Sequence, residues 1–205
     1  MSLLGTLGKV AMGIMVAKTV GKAMGGSGGL LGNLLGGKGA APTQGGGMGD
    51  LLNNLGAGTQ TSGNAGGGLG DLLSSALQGK QVSVTPDEEQ KAMILLKAMI
   101  QAAKADGEID ADERAKITQQ IGDVTQEEIA FVKKEMDAPL DVNALVRATP
   151  KEMAQQVYMM SLLAINLDNS DEAHYLDQLA QGLGISHQVA NAIHQKVGAQ
   201  PIYNS

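Results

Sequence analysis

Two stretches of carboxylates offer the most specific chemistry in this chain. The first is Ala105-Asp106-Gly107-Glu108-Ile109-Asp110-Ala111-Asp112-Glu113, and the second is Asn166-Leu167-Asp168-Asn169-Ser170-Asp171-Glu172. Carboxylate oxygens are hard ligands, and clusters of them repel one another unless a cation or a donor intervenes. The first stretch reads like the later half of an EF-hand loop, with Gly107 at the sharp turn, Ile109 packing and Glu113 last. The earlier ligand positions of such a loop fall on Ala102 and Lys104, however, and a calcium loop cannot replace two oxygen donors with a methyl and an ammonium. It is not an EF-hand.

Both stretches end an apolar segment and open an amphipathic one, with Glu113 or Glu172 followed four residues later by Ile117 or Leu176. This looks like an internal duplication. Helix capping and macrodipole compensation account for Asp110, Asp112, Glu113, Asp171 and Glu172. They account poorly for Asp106 and Asp168, which fall near C-terminal helix ends, where negative charge is unfavourable. If the two halves are related by a pseudo-twofold axis, Asp106, Asp110 and Glu113 would face Asp168 and Glu172. A calcium or magnesium ion would then relieve their repulsion. The alternative is that Lys104 or Arg114 folds back and neutralises the cluster without an ion.

Other chemistry is scarce. There is no cysteine, so disulfides, zinc ribbons, iron–sulfur clusters and thiol catalysis are excluded. The histidines are His174, His187 and His194, and none belongs to an H-E-x-x-H motif. His187 and His194 are spaced to share a helix face, and their neighbours Ser186, Val189 and Ile193 suggest an ordinary surface helix. The run Gly32-Asn33-Leu34-Leu35-Gly36-Gly37-Lys38-Gly39 mimics a phosphate-binding loop. It has glycine where a Ser or Thr should meet magnesium, and no strand precedes it. The sequence therefore predicts no enzyme.

The elements that would position the acids are helices. Cap residues with glutamate three positions later recur as Thr85/Glu88, Asp110/Glu113, Thr125/Glu128, Thr149/Glu152 and Asn169/Glu172. Pro86 and Pro150 suit first helical positions, and Gly107, Gly122, Pro139, Gly184 and Gly198 suit stops. The helix through Ala92, Leu96, Met99 and Ala103 is apolar almost all round, as is Val157 to Leu167, so this pair should form the buried centre. One-faced patterns follow Ile129, Val132 and Met136, then Ala173, Leu176, Ala180 and Leu183, then Val189, Ile193 and Val197. The expected fold class is all-α, with six or seven helices.

Composition divides the chain in two. Residues 1–84 hold 24 of the 29 glycines, no aromatic residue and a net charge of +3, whereas residues 85–205 carry −9 of the overall −6. So glycine-rich a region cannot offset its backbone entropy by apolar burial. The expected organisation is an apolar, basic segment at 1–24, a flexible Gly-rich linker at 25–84 and a helical domain at 85–200. In the first segment Lys9 and Lys18 bracket an uncharged run of only eight residues, short of the roughly 20 that a spanning helix needs. Peripheral association with the cytoplasmic side of the inner membrane, or with a protein partner, is expected instead. The linker repeats a short motif: Leu31-Gly32-Asn33-Leu34-Leu35, Met48-Gly49-Asp50-Leu51-Leu52 and Leu69-Gly70-Asp71-Leu72-Leu73. Each reads as a capped helical turn that is too short to be stable alone, suited to docking on a membrane, a partner or a second copy. An acidic domain with four aromatic residues is unsuited to nucleic acid.

The run A-K-A-D-G-E-I-D-A-D-E-R, with L-D-N-S-D-E-A-H-Y-L-D-Q-L-A-Q-G-L-G-I downstream, resembles the TerB-like helical domain of tellurite-resistance proteins over about residues 87–200. Within that group it is similar to bacterial proteins of unknown function commonly labelled inner-membrane proteins. The resemblance implies a helical bundle with a pseudo-twofold repeat and an acidic centre at Asp106, Asp110, Glu113, Asp168 and Glu172. It also implies a link to envelope or stress responses, with no established enzymatic activity. Asn166 stands where an acid would be expected. The resulting expectation is a non-enzymatic interaction or scaffold protein that binds a partner or a divalent metal. The alternatives are a self-assembling structural protein and an uncharacterised hydrolase.

Overall fold

The computed structural model describes residues 6, 9, 10, 14, 85–105, 107, 109, 115, 117, 125–165, 167 and 170–203. Among them are six α-helices, one 3-10 turn and no strand, so the described part is all-α. The helices are α1 (Pro86–Ala103), α2 (Gln126–Asp137), α3 (Val142–Ala148), α4 (Ala154–Leu163), α5 (Ser170–Leu183) and α6 (His187–Val197). The 3-10 turn, Lys151–Met153, leads into α4.

Local sequence starts the first two helices as expected. Thr85 Oγ1 accepts from the Glu88 N–H at 3.3 Å, and Glu88 Oε2 accepts from the Thr85 N–H at 2.7 Å, with Pro86 following the cap. Thr125 and Glu128 form the same reciprocal pair at 3.3 and 2.8 Å. The predicted Thr149/Glu152 cap does not form. Thr149 Oγ1 instead donates to the Leu145 carbonyl at 2.8 Å, closing α3, and Pro150 makes no side-chain cap. The hydroxyl is consumed by the helix behind it. That helix, α3, has only seven residues and is capped by Asp141, whose carboxylate accepts from the Ala144 N–H at 2.8 Å.

The two helices that are apolar all round do form the centre. α1 packs along α4, and Leu95, Leu96, Met99, Ile100, Val157 and Leu162 are essentially inaccessible. Each such side chain contributes about 1.5–3 kcal/mol through removal from water. α4 is shorter than the apolar pattern suggests. It stops at Leu163, and Leu167 takes a positive φ of 39°, so the apolar run turns out of the helix before it ends. Around this pair lie α2 and α3 against α1, and α5 and α6 against α4. α5 approaches α3 closely at Gly182, where a Cβ would lie 2.6 Å from a Val146 methyl. Gly184 and Gly198 end α5 and α6 with φ of 69° and 74°, a region where glycine has no Cβ penalty.

The core also includes residues from far upstream. Thr6, Val10 and Ile14 are helical, spaced to share one face, and buried, with Val10 and Ile14 in the same apolar cluster as α1 and α4. Thr6 Oγ1 donates to Glu128 Oε1 at 3.0 Å in a buried contact. Part of the segment expected at a membrane or partner is thus turned inward. The leucine motifs and the phosphate-loop mimic lie outside the described residues.

Candidate functional site

Of the five predicted metal-site acids, Asp106, Asp110, Glu113 and Asp168 lie outside the described residues, as do Asn166 and Arg114. Glu172 is described: it lies in the first turn of α5 and is 1% exposed, in the interior rather than on the rim of a loop. Among the described residues, no group of three or more His, Asp or Glu side chains is placed to hold a metal ion. Lys104, which closes α1 ahead of the first acidic stretch, is buried and donates to the backbone carbonyls of Glu135 and Ala138. It caps the C-terminus of α2, where a cation meets the negative end of the helix dipole. Gln101 strengthens the same junction by accepting from the Asp141 N–H at 2.9 Å. Lys97 lies 3.5 Å from Glu135 on the same side of α1. The polar residues on this side of α1 therefore hold the α2–α3 connection.

A second polar group lies inside the bundle, at residues too far apart in the chain for any local pattern to join them. His194, expected on a surface, is fully buried. Its Nε2 is 2.9 Å from the hydroxyl of buried Tyr158, and its Nδ1 is 2.5 Å from the Gln200 carbonyl. A carbonyl only accepts, so Nδ1 carries the proton, and Nε2 is left to accept from Tyr158 in the neutral ring. Burial holds the imidazole below its ordinary pKa, partly offset by the Gln200 carbonyl. Burial likewise raises the Tyr158 phenol, with smaller contributions from Tyr203 and Asp177. The C-terminal segment closes over this pair. Tyr203 stacks on His187 with ring centroids 3.9 Å apart, donates to Asp177 at 2.8 Å and accepts through its carbonyl from Asn191 at 2.9 Å. The arrangement is a clamp of α4, α5, α6 and residues 200–203, in which Tyr158, Asp177, Asn191 and His194 are hydrogen-bonded.

The other face of α6 is different. A cleft of about 500 Å³ opens between the 3-10 turn, the start of α4, the α5–α6 connection and α6. Its apolar floor is Met159, Leu183, Ile185, Val189 and Ile193. Exposed Lys151 and Lys196 border it together with Glu152. Neither lysine forms an ion pair with a described residue, so the rim is net positive in a domain that is strongly acidic. An apolar floor with a few charged groups at its edge suits an amphipathic ligand or a short helix with an acid at one end. The signal was present as Val189, Ile193 and Lys196 at helical spacing. Only the fold shows that Met159 and Ile185 complete the surface.

The described part is thus an all-α domain with a polar clamp on one side of α6 and an open cleft on the other. The profile of the family described as a protein of unknown function (DUF533) matches residues 20–197, and the chain belongs to that family. A protein of Yersinia enterocolitica described as an uncharacterized protein in the ampR 5'region is 30% identical over 112 residues. That alignment spans 53% of this chain and 81% of the relative. No solved structure matches the chain significantly. Among the described residues, no helix is long and apolar enough to cross a membrane.

Proposed function

We propose that this chain is a non-enzymatic interaction protein whose helical domain receives a protein segment in the α4–α6 cleft. The observation that carries the reading is the cleft itself, an apolar floor with two exposed lysines on its rim. The one hydroxyl in the lining, Ser186, is engaged as the N-cap of α6, and Lys151, Glu152 and Lys196 stand at the rim, so what supports binding here is shape, apolar side chains and charge. The TerB-like relationship and its two-half arrangement belong to this reading, as does a role in the bacterial envelope or its stress response. Attachment to the inner membrane would rest on the lysines of residues 1–24 more than on Val10 and Ile14, which pack inside the domain. Salt should then release the protein from membranes, and resistance to both salt and carbonate would refute peripheral attachment.

A photo-crosslinking residue at Gln155 of the full-length protein tests the cleft in cells. Protein adducts that disappear with Lys151→Glu and Lys196→Glu are expected, and adducts indifferent to both changes would refute the reading. A divalent ion at the acidic junctions is the second reading, favoured by the near-complete burial of Glu172. It predicts that EDTA lowers the melting temperature and that millimolar calcium or magnesium restores it. A melting temperature indifferent to both would leave the acids as caps.

A further inference from the structure

The cleft beside α6 awaits an occupant, and the repeated acid-leucine-leucine motifs of the glycine-rich region await a role. Their chemistries match. Leu69-Gly70-Asp71-Leu72-Leu73, with Leu77 following, offers one carboxylate ahead of leucines that share a face if the segment is helical. The cleft offers Lys151 and Lys196 at its rim and aliphatic side chains on its floor. We propose that the cleft binds the chain's own Asp71-Leu72-Leu73 segment, with the carboxylate toward the lysines and the leucines on Ile185, Val189 and Ile193. This rests on the reading of the cleft as a protein-binding surface and names its resident occupant.

Reach and concentration both favour capture within one chain. Asp71 lies fourteen positions before Thr85, the first described residue of the main helical region. Extended, that stretch spans at most about 46–50 Å. A compact domain of about 120 residues is roughly 35 Å across, and half its circumference is about 55 Å, so from Thr85 the extended motif can reach most of its surface. One or two helical turns bind weakly when free, because the segment loses its conformational entropy on docking. Tethered by a short linker, the same segment faces its site at an effective concentration in the millimolar range. A contact with a free-peptide Kd of about 1 mM would then be substantially occupied in cis. Asp50-Leu51-Leu52 is a second copy of the ligand at greater distance, and Asn33-Leu34-Leu35 lacks the charge. The expected order of preference is therefore Asp71, then Asp50, then Asn33.

The absence of cysteine makes the test direct. A nitroxide is attached at Ser75→Cys in the full-length protein, and the isoleucine methyl groups are isotope-labelled. The Ile185 and Ile193 methyl signals should lose most of their intensity relative to the reduced, diamagnetic label. Diluting the labelled protein into unlabelled chains should leave that loss unchanged. Lys151→Glu with Lys196→Glu should restore the signals at least several-fold, and adding Asp71→Lys should bring the loss back. Methyl signals untouched by the nitroxide would overturn the proposal, as would losses that vanish on dilution or ignore the lysine changes. Untouched methyls alongside lysine-dependent cellular adducts at Gln155 would reject the tail as occupant while leaving the cleft as a binding surface.

Discussion

The two sides of α6 solve opposite problems. On the clamp side, His194 and Asn191 have their polar atoms matched by Tyr158, Gln200 and Tyr203, and His194 and Tyr158 are fully buried. On the cleft side, half-buried Val189 and exposed Lys196 border an opening whose floor, Met159, Ile185 and Ile193, is largely covered by the domain itself. Buried polar groups are costly unless paired, so a fully paired set identifies a place where structure is being specified. A surface with apolar floor and unmatched cations has no such justification from stability. The difference separates what holds this domain together from what it has left to offer.

The sharpest way to break this contrast is to remove the centre of the clamp. His194→Ala should cost about 3–5 kcal/mol, because it opens a cavity and strands the Tyr158 hydroxyl and the Gln200 carbonyl together. Chemical denaturation of the full-length protein measures it. A loss below 1 kcal/mol would make the clamp as dispensable as a surface. Ile14→Ala should cost about 2–4 kcal/mol by the same measurement, since Ile14 is 3% exposed in the shared core. A neutral result there would assign the N-terminal residues to the uncommitted side.

Acid offers a smaller and graded test. The folded pKa of His194 is depressed by burial, so the unfolded chain binds more protons than the folded one below the ordinary histidine value of about 6.5. The contribution of the neutral ring is fully present above that pH and is lost as pH falls through the folded pKa. Stability should therefore drop as pH falls from 7.5 to 5.5, and His194→Gln should flatten that slope. An unchanged slope in the variant would place the pH dependence elsewhere. Least affected of all should be Lys151→Glu with Lys196→Glu, which should leave the melting temperature within about 2 °C of the parent. A large shift would mean that the cleft rim carries structure after all.

Local signals were legible in the sequence and distant ones were not. Thr85/Glu88 and Thr125/Glu128 form capping boxes because every atom involved lies within one helical turn. Thr149 has the same spacing to Glu152, but a competing acceptor, the Leu145 carbonyl, was already in reach. α3 escaped because it is seven residues long with only Leu145 fully buried, too little for a period to show. His194 read as a surface residue because its partner Tyr158 lies 36 positions away. Glu128 read only as a cap, although the same carboxylate also accepts from Thr6 across 122 positions. For the acidic junctions, four of the five residues singled out lie outside the described residues, and Glu172 alone is described, buried in the first turn of α5.

The contact between Thr6 and Glu128 changes what kind of object the glycine-rich region is. With Ile14 packed in the core and Thr85 capping α1, the chain both leaves and re-enters the folded domain at fixed points, so the stretch between has two anchors and no free end. Polymer loops obey different rules from tails. Lengthening the loop costs little, since each doubling adds only about 0.6 kcal/mol of closure entropy. Severing one backbone bond within it should not release the N-terminal fragment at once, because that fragment keeps its own anchorage in the interior. A nicked molecule would then migrate as a single particle under native conditions and as two pieces once denatured.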